Sequence, residues 1–72
     1  MTANENNEKP KLDSNNLKVI QEQLSAEALL TKKYIEYSNM CTDTNLKTLC
    51  IEASNAHKYN LQNLMSYLDS HQ

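Results

Sequence analysis

The chain has 72 residues, one proline (Pro10), no glycine, and a formal net charge of −2. So short a chain buries little of its own surface, and without glycine it lacks the residue best suited to tight β-turns, which excludes hairpin-rich β folds and points to helices with few connections. All seven basic residues are lysines, with Lys32–Lys33 the only adjacent pair, so the concentrated positive charge that phosphate backbones require is missing and nucleic acid is not an expected partner.

In chain order, residues 1–12 read as a disordered N-terminal arm, polar and rich in Asn, Glu and Lys. The arm contains no apolar run, so neither a secretory signal nor a membrane span is expected there. Asp13 or Ser14 can cap a first helix over about 14–41, because a short side-chain oxygen accepts from backbone N–H groups that have no intrahelical partner. On this helix Ile20, Leu24, Glu27, Thr31, Tyr34 and Ser38 fall on one stripe at about 100° per residue. Its second half, with Thr31 and Ser38, is small and polar and would admit another helix closely.

The segment Cys41–Asn45 is a turn in which Thr42, Asp43 and Thr44 are all suitable N-caps. A second helix follows over about 44–68, with Leu46, Cys50, Ala53, His57, Leu61, Leu64 and Leu68 on its stripe. Each helix is about 40 Å long at 1.5 Å rise per residue, and so short a turn forces antiparallel packing. The hairpin therefore spans 13–72. Leu29, Ile35, Leu49 and Met65 lie off the stripes and widen the apolar faces. A second hairpin is expected to cover them, most simply another copy of the chain, giving a homodimeric, ferritin-like four-helix bundle. A small helical adaptor that binds another protein through the same face is an alternative.

Glu27 and His57 are the candidate site. With the turn centred near Thr42, residues whose numbers sum to about 84 lie opposite one another, which pairs Glu27 with His57 and Ile20 with Leu64. A carboxylate and an imidazole buried together offset their desolvation by sharing a hydrogen bond or ion pair. The chemical alternative is metal ligation. Ferritin-like di-iron bundles use a Glu from each of two helices and Glu-x-x-His from each of the others. Here Ser54 stands three residues before His57, and Glu52 points away from the stripe. The bridging carboxylates are missing, and what remains is a polar pair or, in a dimer, a single zinc-like ion held by Glu27 and His57. No other cofactor is expected.

Cys41 and Cys50 are separated by about 10 Å of helical rise, too far for a relaxed intrachain disulfide. Cys50 reads as a small buried hydrophobe and Cys41 as a more exposed thiol able to cross-link chains. Tyr34 is expected in the core, and Tyr37 and Tyr59 at the surface. No nucleophile–base pair, phosphate loop or zinc-finger spacing occurs, so no enzymatic activity is expected.

From about Gln23 to Leu68 the chain resembles the coat F (CotF-like) family of bacterial spore coat proteins. The likeness lies in Leu29-Leu30-Thr31-Lys32-Lys33-Tyr34, in the turn Cys41-Thr42-Asp43-Thr44-Asn45-Leu46, and in Ala56-His57 followed by an apolar stretch ending at Tyr67-Leu68. It implies a ferritin-like helical fold and a structural role inside a spore-forming bacterium, in the spore coat or the sporulating cell, with itself or other helical coat proteins as partners. The chain departs from the family in lacking acidic residues immediately before His57.

Overall fold

The computed structural model describes residues 11–71. The expected arm at 1–12 falls outside them up to residue 10; Lys11 and Leu12 carry no regular secondary structure. Two helices follow, α1 over Ser14–Met40 and α2 over Thr44–Asp69, and the described residues contain no strand.

Each helix begins at an aspartate. The Asp13 carboxylate accepts from the Asn16 backbone N–H at 2.8 Å, and the Asp43 carboxylate accepts from the Leu46 N–H at 2.7 Å. Such caps satisfy donors that the helix leaves free and contribute about 1 kcal/mol each. α1 stops at Cys41, whose backbone turns extended (φ −78°, ψ 137°) while its N–H still reaches the Ser38 carbonyl at 3.4 Å. Asp43 is extended too (φ −78°, ψ 124°). The reversal therefore needs no left-handed residue, and no described residue has positive φ. A chain without glycine makes this turn without strain.

The connection is three residues long, and α2 runs back along α1. Contacts at three heights fix the direction: Ile20 shares a groove with Leu64 and Tyr67, Glu27 meets His57, and the Ser54 hydroxyl reaches the Thr31 carbonyl. The pairing sum of about 84 holds along the hairpin.

The core is thin. Among the described residues only Ile20 and Cys50 are buried apolar side chains, joined by two buried serines, Ser38 and Ser54. Leu17, Leu24, Leu61, Leu64 and Leu68 are half-buried. Leu46, expected on the inner stripe, is 50% exposed; it lies in the first turn of α2, near the end of the hairpin, where neighbours along the axis run out on one side. Twelve large hydrophobic side chains among the described residues remain exposed. Surface ion pairs add little: Lys18–Glu22 and Lys33–Glu36 both stand at 4.0 Å, with all four side chains about half exposed or more, and such pairs contribute a few tenths of a kcal/mol. No described helix is long and apolar enough to cross a membrane.

Candidate functional site: a polar cluster at mid-height

Small side chains bring the helices together at the level of Glu27 and His57. The Ser54 hydroxyl donates to the Thr31 carbonyl at 2.8 Å across the helix pair. That carbonyl belongs to a residue whose own hydroxyl donates back to the Glu27 carbonyl at 2.8 Å. Ser38, nearer the turn, bonds its own helix at Ile35 O, 2.7 Å away. A serine buried at a helix contact fits where a leucine would hold the backbones apart, and its hydroxyl is satisfied by a carbonyl instead of water. No buried side-chain polar atom among the described residues lacks a partner.

Glu27 and His57 face each other across this contact, as the register predicts. One Glu27 carboxylate oxygen, Oε1, is hydrogen-bonded to His57 Nδ1. The other, Oε2, accepts from the Asn60 side-chain amide at 3.3 Å. Both side chains are mostly covered, with 20% of Glu27 and 26% of His57 accessible. The Tyr34 ring covers one face of the imidazole, with centroids 5.5 Å apart and planes 11° from parallel. Tyr37 then meets Tyr34 edge to face at 5.6 Å. Tyr34 and Tyr37 thus stand one helical turn apart and touch. Tyr59 is exposed, as expected.

The geometry sets the chemistry open to the pair. A carboxylate accepts, so the imidazole engages it through Nδ1–H, and only Nε2 is left for a further partner. Among the described residues no three His, Cys, Asp or Glu side chains gather as a metal-binding group. Glu27 and His57 supply two donors per chain, whereas zinc takes three or four protein ligands. Ser54, read from the sequence as the residue standing in place of a bridging carboxylate, is 2% exposed and is the helix–helix hydrogen-bond donor. Its position beside Cys50 and Leu61 on the helical wheel was the signal for that role.

Both cysteines are free thiols, Cys50 buried and Cys41 half-buried. Burial pushes the Cys41 thiol above the ordinary thiol range; the Cys50 hydrogen bond and repulsion from Cys50 and Asp43 add to this, while Lys47 opposes it. At the other end of α2, His71 stacks on Tyr67 with ring centroids 3.9 Å apart and bonds the Tyr67 carbonyl through Nδ1 at 2.7 Å, closing the helix C-terminus.

The chain matches no family model, no curated protein and no solved structure. The function therefore has to be argued from the hairpin and its polar cluster.

Proposed function

We propose that this chain is a non-catalytic structural protein that self-assembles through its helical hairpin, as a component of a bacterial spore coat. The observation that supports assembly is the disproportion between core and surface. Two apolar side chains are buried among the described residues, while Val19, Leu49, Met65 and Tyr67 are each at least half exposed. A hairpin with so thin a core gains most of its stability by burying its outer faces against another one. The Glu27–His57 pair then acts as a satisfied polar contact that sets the register of the two helices. The spore coat assignment rests on the likeness carried by Leu29–Tyr34, the Cys41–Leu46 turn and Ala56-His57.

Two measurements test this. Light scattering on the purified chain is expected to give a mass of at least twice 8.3 kDa; a well-folded monomer would favour an adaptor for a different protein. Fractionation of sporulating and growing cells is expected to place the protein in the spore coat, and equal amounts in growing cells would remove that assignment.

A second reading is favoured by the contact between Glu27 and His57: two copies together would offer four donors to one zinc-like ion. It predicts metal that co-purifies with the chain and is lost in Glu27→Ala and His57→Ala.

A further inference from the structure

The hairpin has two long flanks, and they differ in chemistry. A groove lined by Val19, Gln23, Leu64 and Tyr67 shows which flank of α1 shares a side with which flank of α2. The opposite side is marked by a groove in which Leu24 meets Met65 and Leu68. Following the helical period of about 100° per residue from these anchors assigns the remaining positions.

The first flank presents Val19, Ala26, Leu30 and Tyr37 on α1. On α2 it presents Leu49, Ala56, Asn60 and Tyr67. Val19, Tyr37, Leu49 and Tyr67 are 46–62% exposed, and Ala26 and Ala56 are exposed as well. By the pairing register Val19 and Tyr67 stand at one end and Tyr37 and Leu49 at the other, with Ala26, Leu30 and Ala56 at mid-height. Lys33 and Glu52 stand at the outer edge of this flank, and at its mid-height Asn60 holds the Glu27 carboxylate, which is already paired with His57. The second flank carries Leu24, Ile35, Met65 and Leu68, but Lys58 stands at its mid-height and Lys47 nearer the turn.

We propose that the first flank is the surface on which a second copy of this chain docks, with Ala26 and Ala56 at its centre. The proposal rests on the self-assembly argued above and identifies its surface. Small residues at the centre and unpaired charges held to the rim suit a protein interface, and a carboxylate already bonded to His57 and Asn60 costs less to cover than an unpaired lysine in the middle of a buried face. The area also fits. Two helices side by side, each about 40 Å long and about 10 Å across, present a face of about 800 Å², which is what one partner contributes to a stable interface of about 1,600 Å². Small residues at mid-height let the two hairpins approach closely where they cross.

The test compares light-scattering masses of the full chain and of single substitutions that keep helix propensity. Ala26→Glu and Ala56→Glu each place a carboxylate at the centre of the proposed face; Ala28→Glu places one on the other flank. Expected are a dimer for the parent and for Ala28→Glu, and at least a ten-fold weaker dimer for Ala26→Glu and for Ala56→Glu. Helical circular dichroism at high protein concentration shows whether each variant still folds, and having two variants on the face keeps the result readable if one does not. Dissociation by Ala28→Glu alone, or a dimer that none of the three weakens, overturns the choice of flank and leaves self-assembly standing. A monomeric parent chain overturns both.

Discussion

The Ser54 hydroxyl and the Thr31 carbonyl join the two helices by a 2.8 Å hydrogen bond, one turn along α2 from His57. This contact explains how a polar pair can sit inside so small a fold. With serine at the closest approach, the backbones come near enough for the Glu27 carboxylate to reach His57 and Asn60 together. A large apolar residue at position 54 would fill the same space and separate the pair it now supports.

Substitution at Ser54 should separate the hydrogen bond from the packing. Ser54→Ala loses a donor whose acceptor is a helix carbonyl, so the expected cost is about 1 kcal/mol. Ser54→Leu overfills the contact and should cost about 1–3 kcal/mol. Urea denaturation followed by circular dichroism, at one fixed protein concentration because the midpoint of a self-associating chain depends on it, checks both. If Ser54→Leu is as stable as the parent, the helices are not held at this distance by the serine.

Much of this arrangement was legible in the sequence, and the reasons are local. The sequence offers Asp13 or Ser14 for α1 and Thr42, Asp43 or Thr44 for α2, and the aspartate is the cap in both cases. The three-residue connection leaves one packing direction, so a single sum pairs Glu27 with His57 without any tertiary information. The role of Ser54 is hidden because periodicity registers hydrophobicity, to which a buried serine contributes nothing. Leu46 was placed inward because a stripe does not show where its partner helix ends.

The Glu27–His57 contact should be energetically real but modest. Each side chain retains about a fifth to a quarter of its accessibility, so water weakens the interaction. A double-mutant cycle over Glu27→Ala and His57→Ala should return a coupling of about 1 kcal/mol. Asn60 shares the carboxylate, so Asn60→Ala should reduce that coupling. Additive single effects would mean that the two side chains do not interact in solution.

Metal addition separates the two readings of the same pair. If the pair is structural, zinc in excess leaves the melting midpoint unchanged. If two copies hold one ion, zinc at about 100 times its dissociation constant should stabilise the fold by about 2.7 kcal/mol, and Glu27→Ala or His57→Ala should each abolish the effect. A midpoint rise that survives both substitutions would place the ion elsewhere.

The Cys41 thiol gives a prediction whose sign is fixed by its surroundings. Burial, with the Cys50 hydrogen bond second, raises its pKa above the ordinary thiol value. The thiolate is the nucleophile, so at pH 8 iodoacetamide should modify Cys41 more slowly in the folded chain than in urea. Cys50→Ala removes the hydrogen bond and leaves the burial, and should speed the reaction only part of the way to the unfolded rate. The same shift ties folding to pH. The folded chain holds this proton more firmly than the unfolded chain does, so the contribution to stability is complete below the unfolded thiol pKa and is lost as pH rises through the folded one. The urea midpoint should therefore fall on the alkaline side of the ordinary thiol range, and Cys41→Ser should flatten that decline. A Cys41 that alkylates as fast in the folded chain as in urea would mean that neither burial nor Cys50 restrains it.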